Sequence, residues 1–500
     1  MEDYFDKLVA KTLELLAIDS VQSAPCPSSP FGQGVGDCLA FVDKLATSFG
    51  FSTHNENGYY LTADIGQGEQ FGILGHVDTV PHDEKWSANP LGELRDGGIY
   101  GRGILDDKGP MLACLFATHQ LLSENKLPRK QIRFIFGGNE ETGWECIERY
   151  KKVDKMPREG FSPDGDFPVI NCEKGLANYS ITLDKPSELV AISGGSRPNV
   201  VMPSATATID KLVGNAGESA TNDKIIDNSC DRANATSDKV IDNSCDCVNA
   251  TSGKVIDRSI DNFFDSANAT NDKSNATSGK ASDSSTNDGS LVVTYHDGKT
   301  ILSSTGIPAH ASTPSLGKNA LWAILNFLSD NLGGEYSTLA RLFCNNDGSG
   351  LDLAIADEKS GKLTCNLGVI RLTADGKLEL TLDVRFPISF SKDFVADKIR
   401  AKLPTAKVEI IHFHDPHFIP PETKLVSTLL AVYNNAMNVN EKPLAIGGGT
   451  YARALECGVA FGPMFPGQPS TIHQKDEFVT LRDFRKMYEI YYNAISALLF

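Results

Sequence analysis

Between Phe71 and Glu141 the chain twice runs a short apolar stretch into side chains able to do chemistry, and that repetition limits what it can fold into. Phe71 to Leu74 reads as a buried strand that delivers His76 and Asp78, on alternate positions, into the following loop. YGRGILDDK then closes a Gly-rich loop on the adjacent carboxylates Asp106 and Asp107. From Pro110 to Leu122 helical spacing returns through Leu112, Leu115, Phe116, His119 and Leu122, with Pro where a first turn tolerates it. QIRFIFG, Gln131 to Gly137, is a second apolar strand that ends in Asn139, Glu140 and Glu141. Strand, helix, strand predicts an α/β fold around a parallel sheet. Such sheets collect ligands beyond the carboxyl ends of their strands, where His76, the Asp pair and the Glu pair would converge. FSPDGDFPVI adds Asp164 in a Pro/Gly-rich loop.

The 500 residues exceed what one core usually fills, so two or more domains are expected. A net charge of -17 excludes phosphate backbones and anionic membrane surfaces as partners. The first twenty residues place Phe5, Leu8, Val9, Leu13 and Leu16 near helical spacing, which reads as an amphipathic helix rather than a signal peptide. No apolar run reaches membrane-spanning length, and the 11 cysteines are odd in number and scattered. A reduced, soluble, cytoplasmic protein is the expectation. Ser20 to Gly36 is Ser/Pro/Gly-rich and reads as a surface loop, with helical periodicity from Asp37 to Phe49.

Near Gly175 the texture changes to alternating strands, NYSITL, SLVVTYHD, KLELTLDVRFP and AKVEIIHF, with helices such as KNALWAILNFLSDNL between. This predicts an α+β lid domain, 176–210 and 291–416, inserted into a catalytic domain formed by 1–175 and 417–500. Residues 211–290 stand apart as a low-complexity insertion. ATNDKIIDNSCDRAN, ATSDKVIDNSCDCVN and ATSGKVIDRSIDNFF follow one another there, a tandem repeat too polar to bury a core and read as mostly disordered, with room for small strands at each KVID. The N-A-T triplets at Asn234, Asn249, Asn268 and Asn275, and Cys245 with Cys247, are by-products of that repeat.

Alone, each candidate has a bland reading, since a histidine after a strand is usually structural. Together, His76, Asp106, Glu141, Asp164 and the late His473 in PSTIHQKDE offer two imidazoles and three carboxylates. That set suits two zinc, manganese or cobalt ions bridged by a carboxylate and a water. Asp78 is placed to accept a hydrogen bond from the far nitrogen of His76. Glu140, beside a ligand, is placed to act as general base.

GHVDTVP, GRGILDDKGP, GGNEETGWECI, FSPDGDFP, GIPAHASTPSLGKNA and GGGTYARALECGVAFGPMFPG resemble, in that order, the motifs of the PepV-type dipeptidases. These belong with the acetylornithine deacetylases, succinyl-diaminopimelate desuccinylases, aminoacylases and carboxypeptidase G, and the last motif points to the dipeptidase branch. The resemblance spans the chain except 211–290. It implies a zinc-peptidase-like catalytic domain with a mainly parallel sheet, interrupted by the lid, and two divalent ions per subunit, Zn or Mn. Asp106 would bridge them, with His76 and Asp164 on one and Glu141 and His473 on the other. Glu140 would be the base, Asp107 a supporting acid, and the Asp106–Asp107 peptide cis. His310, in PAHAS, would stabilise the oxyanion, a role that without the resemblance would give way to a structural histidine. Asn199, Arg385, and the run Gly447, Gly448, Gly449 with Thr450 and Tyr451 would bind the substrate's carboxylate end. His412, His414 and His417 lie where the lid returns and read as a hinge rather than a third metal site.

Dipeptide hydrolysis by a metal-bridging hydroxide is therefore the expected function, with β-alanyl dipeptides among the candidate substrates. Relatives with a long lid work as monomers, which is the expected state here. An N-acyl-amino-acid amidase with the same metals remains the alternative, because the ligands do not encode the acyl group. A non-catalytic binding protein expects a lost ligand or base, and none is lost.

Overall fold

The computed structural model describes residues 2–82, 85–210, 224–226 and 290–500. Nearly all of the repeat insertion lies outside the described residues. The exception is Lys224–Ile226, in the first KIID segment, which pairs antiparallel with Leu291–Val293 as an edge strand.

One lobe is built on a nine-stranded sheet whose four central strands run parallel: Gln131–Gly137, Gln70–His76, Glu159–Ser162 and Cys457–Ala460. The flanks are antiparallel except for Leu444–Ile446, which pairs parallel with Ile170–Glu173. On one side lies the hairpin Ser52–Glu56 with Tyr60–Ile65, and on the other Ile170–Glu173 with His417–Phe418. The parallel order thus holds where the sheet is covered on both faces, as parallel strands require. Gln70–His76 and Gln131–Gly137 are in register from Gln70 opposite Gln131 to His76 opposite Gly137. The two strands therefore end level, and their C-terminal loops emerge at the same edge.

The helix predicted from Pro110 starts two residues earlier, at Lys108, and runs to Ser123. It is buried on nearly every side, because it lies between the sheet, the N-terminal helix Glu2–Leu16 and the C-terminal helix Leu481–Leu499. Fully enclosed Leu112, Leu115 and Leu121 contribute about 1.5–3 kcal/mol each. The loop expected through Gly36 ends sooner, since a helix begins at Gln33 and runs to Ser48. Its glycines serve contact rather than flexibility. A Cβ at Gly34 would stand 1.7 Å from the Asp19 carbonyl oxygen, and one at Gly36 would stand 2.7 Å from Ser28 Oγ.

The other lobe is a wholly antiparallel nine-stranded sheet. From Leu291–His296 it proceeds through Lys299–Thr305, Ser204–Asp210, Leu189–Gly194, Thr364–Leu372, Leu378–Phe386 and Gly175–Leu183 to Lys407–His414. Helices Ala320–Leu332, Gly334–Phe343 and Lys392–Lys402 pack against it. The two lobes have separate apolar clusters, one drawn from Phe5 to Val169 and Ile419 to Leu499, the other from Ala177 to Val408. The chain crosses between them at Gly175 and again after His414, where His417–Phe418 joins the first sheet.

Candidate active site and metal centre

Because the two parallel strands end level, His76 and the Asn139–Glu141 turn face one another across the sheet edge. His76 is fully buried. Its Nδ1 lies 2.9 Å from the Asp78 backbone carbonyl and 3.5 Å from that residue's carboxylate. The carbonyl, rather than the expected carboxylate, is therefore the nearer partner. Donation from Nδ1–H turns Nε2 inward, the nitrogen that a metal ion would take in place of a proton. The Asp78 carboxylate is used otherwise: its two oxygens accept the backbone N–H groups of Glu140 at 3.0 Å and Glu141 at 3.1 Å. One residue thus fixes the ring on one strand and the turn beyond the other.

Asp106 lies between two imidazoles. His76 Nε2 is 2.9 Å from its Oδ1, and His473 Nε2 is 2.9 Å from its Oδ2. Each ring has a second acid, with Asp164 Oδ2 at 3.7 Å from His76 and Glu141 Oε1 at 3.2 Å from His473. The five residues singled out as ligands are therefore gathered in two sets that share Asp106. His76, Asp106 and Glu141 offer atoms that all lie within 4.8 Å of one another. The Asp106–Asp107 peptide is cis. Asp107, also buried, accepts the His76 N–H at 3.3 Å, while its Oδ1 has no hydrogen-bond partner.

The charges of this cluster favour bound positive charge, as protons or as metal ions. Burial works against the charged form of His76, yet Asp106, Asp164 and Asp78 outweigh it and hold the imidazole protonated well above its usual range. Asp106 and Glu141 hold His473 up to about 10. Burial would raise Asp106, but His473 and His76 overcome it and keep that carboxyl well below the usual range. Burial and neighbouring acids push up Glu140, Glu141, Asp164 and Asp107. Two imidazolium protons thus sit between carboxylates, at the two places where divalent ions would relieve the same repulsion. Mixed imidazole and carboxylate donors suit zinc or manganese, so the residues fit the group.

Glu140 accepts a hydrogen bond at Oε1 from Trp144 Nε1 at 3.1 Å. Trp144 stands in the left-handed region, φ 62°, at the start of helix Glu145–Val153, with Tyr451 edge-on at 5.0 Å and His414 at 5.9 Å. Its role was not visible in the sequence beyond its place in GGNEETGWECI.

Residues of the second lobe approach from across the cleft. Val200 and His310 form an antiparallel bridge, and the Asn199 carbonyl accepts the Ala311 N–H at 2.9 Å, which brings the RPNVV and PAHAS loops together. His310 Nδ1 lies 2.6 Å from Ser312 Oγ and accepts the Ser312 N–H at 3.3 Å. Nδ1 is therefore the unprotonated nitrogen, and Nε2 carries the proton. Partial desolvation and the Arg385 charge, opposed by Asp383 and joined by His473, lower the His310 pKa and keep the ring neutral near pH 7. Arg385 is clamped by Asp383, Nε to Oδ1 at 2.5 Å and Nη2 to Oδ2 at 3.0 Å, and Nη1 donates to the Gly447 carbonyl at 2.9 Å across the cleft. A Cβ at Gly447 would lie 3.1 Å from that of Ser312. Gly448 and Gly449 follow it along the cleft wall. Thr450 differs from expectation, since its hydroxyl is engaged with Glu173 Oε1 at 2.5 Å and its N–H with Oε2 at 3.2 Å. It anchors the glycine run and has no hydroxyl to spare for a substrate.

His412 and His414 neighbour each other on the last strand of the second lobe, ring centroids 4.8 Å apart, while His417 reaches the Gly458 carbonyl at 2.7 Å. The one group of potential ligands among the described residues is the His76, Asp106, Glu141 set.

Residues 72–497 match the model of "Peptidase family M20/M25/M40". The chain is 32% identical over 513 residues to "Putative dipeptidase YtjP" of Bacillus subtilis strain 168, covering 99% of this chain and 97% of that protein. It is 30% identical over 517 residues to a "Putative dipeptidase" of Staphylococcus epidermidis, covering 99% and 98%. Among solved structures it resembles an M20 family metallo-carboxypeptidase, Sso-CP2, of Sulfolobus solfataricus, with TM-score 0.52, 14% identity and 98% of both chains covered. Human carnosine dipeptidase 1 aligns with TM-score 0.52 and 12% identity over 99% of this chain and 97% of that one.

Proposed function

The chain belongs to peptidase family M20/M25/M40 and is a metallopeptidase, and on that footing we propose that it cleaves the peptide bond of dipeptides with two zinc or manganese ions held by His76, Asp106, Glu141, Asp164 and His473. The observation that carries this is the place of Asp106, whose two oxygens each lie 2.9 Å from a different imidazole, each imidazole having a further acid beside it. Divalent ions held by these residues would supply Lewis-acid polarisation of the substrate carbonyl and would acidify the attacking water.

The protein's own groups do the rest. Trp144 engages Glu140 at Oε1, so Oε2 is the atom that takes the proton from water and later gives it to the leaving amine. Burial raises that acid above the usual carboxylate range, and a higher pKa is the direction that favours holding the proton until it passes to the leaving amine. His310 presents a neutral Nε2–H to the developing oxyanion. Asp78 supports both halves by holding the His76 ring and the Glu140–Glu141 turn.

The dipeptide reading draws its support from the far end of the cleft and from the names of the relatives. With three of its N–H groups engaged by Asp383 and Gly447, the guanidinium of Arg385 is locked in one orientation, and its two remaining terminal N–H groups are left for a carboxylate. Asn199 and the backbone at Gly448 and Gly449 complete that end, with Thr450 anchoring the run through Glu173. The eight described cysteines are all free, which favours the cytoplasm. No described helix is long and apolar enough to cross a membrane.

The test is amine release from dipeptides, tripeptides, and N-acetyl and N-succinyl amino acids by protein loaded with zinc or manganese. Dipeptides are the expected substrates, and hydrolysis of the N-acyl compounds alone would overturn the reading.

A further inference from the structure

Glu477 is completely buried, lies four residues beyond His473, and has no part in the chemistry described above. One carboxylate oxygen accepts the Leu105 N–H at 2.9 Å, the amide immediately before Asp106. The other takes the Arg102 guanidinium at 2.8 Å, and Arg102 is itself buried. The loop carrying His473 is thereby fastened, through one side chain, to the loop carrying Asp106. Asp476 fastens the same segment on its other side, its Oδ1 accepting the N–H groups of Ser87 at 2.7 Å and Ala88 at 3.1 Å. His473 itself stands in the left-handed region, φ 60°, so its direction depends on how the residues after it are held.

We propose that Glu477, with Arg102, is the positioning residue that sets the separation between His473 and Asp106, and so selects occupancy of the metal position shared by His473, Glu141 and Asp106. This rests on the two-metal reading above. The companion position, His76 with Asp164, is built on strand ends whose register does not involve Glu477. Both positions use Asp106, but only the first also depends on His473, so loss of Glu477 weakens that ion more than the one beside His76 and Asp164. The backbone of the segment is held independently, by the Gly101 N–H to the Glu477 carbonyl at 3.0 Å and by pairing of Phe478–Thr480 with Gly98–Tyr100. A change of side chain thus tests the side chain.

The experiment uses the full chain loaded with zinc, dialysed against a dilute chelator, with retained zinc counted per chain by elemental analysis. Glu477→Gln keeps an acceptor for Leu105 but leaves Arg102 unmatched. Arg102→Met with Glu477→Gln removes the charge pair as a unit, and Glu477→Asp keeps the charge while shortening its reach, so a folded variant is available even if the first does not fold. Wild type is expected to retain two ions and the variants one. The second should return on raising free zinc, with an apparent dissociation constant about 10–100 times larger. A purely structural role would lower the melting temperature without separating the two ions. A folded variant that keeps both ions at wild-type affinity, or loses both together, would overturn the proposal. Wild type holding fewer than two ions would instead sink the two-metal reading beneath it.

Discussion

Glu140→Gln separates the base from the metal centre more cleanly than any other single change. The amide keeps an oxygen for Trp144 Nε1, and the backbone N–H groups of residues 140 and 141 stay on Asp78, so Glu141 keeps its place beside His473. What is lost is the proposed proton carrier. General base catalysis is worth about 10²–10⁴ in rate, or roughly 2.7–5.4 kcal/mol of barrier. Trp144→Phe supplies an internal scale, because it removes one hydrogen bond to the same carboxylate, worth about 1.5–3 kcal/mol at most. The expected order of kcat is wild type, then Trp144→Phe lower by about ten- to a hundredfold, then Glu140→Gln. The assay is steady-state amine release from a dipeptide, with zinc content measured on the same samples. A fully metallated Glu140→Gln protein within a factor of about three of wild type would refute the assignment, since no positioned base is that dispensable.

Arg385→Lys cannot reproduce the double contact with Asp383 together with the bond to Gly447, so KM for dipeptides should rise at least tenfold, by about 1.4–3 kcal/mol, with kcat less affected. An unchanged KM in steady-state kinetics would remove Arg385 from the carboxylate end. The metal-free protein should lose thermal stability as pH rises from about 6.5 toward about 10. His473 is held protonated in the folded state up to about 10, so its contribution is complete below 6.5 and fades through that window. The raised acids around it act in the same direction, and saturating zinc or manganese should raise the melting temperature and flatten the slope in a pH series of thermal scans. Lys108→Met should lower the urea midpoint through the loss of about 1–3 kcal/mol, because buried Nζ donates to the Ile18 carbonyl at 2.8 Å. A wild-type midpoint would show that this carbonyl finds another partner.

The residues that the structure gathers at the cleft were legible in the sequence for a local reason: each follows an apolar run or sits in a Gly-rich loop, and a strand's end fixes where its next residues go. His76 and Glu141 needed only two strands in register. Asp164 and His473 entered through the number of donors that a pair of ions requires, and His310, Asn199 and Arg385 only through resemblance. The features that stayed hidden depend on contacts between distant segments. Trp144 reaches Glu140 because of a left-handed turn that no spacing rule marks. Glu477 and Arg102 meet across 375 positions of sequence. Asp78 was expected to hold His76 by its carboxylate, yet two backbone amides compete for that group and the carbonyl takes the ring. The helix at Gln33 was obscured because Gly34 and Gly36, which serve close packing there, carry the same letter as glycines in a loop.

The separation of the two apolar clusters bears on how such an enzyme can change over time. Arg385, Asn199 and His310 belong to the lobe centred on Ala177 to Val408, and the metal donors to the other. Substitutions in cores that share no member combine almost independently, so a change that reshapes the first lobe carries little penalty for the second. Repacking inside one core can therefore accumulate without disturbing the other, and the coupling between lobes is confined to contacts such as Arg385 with the Gly447 carbonyl.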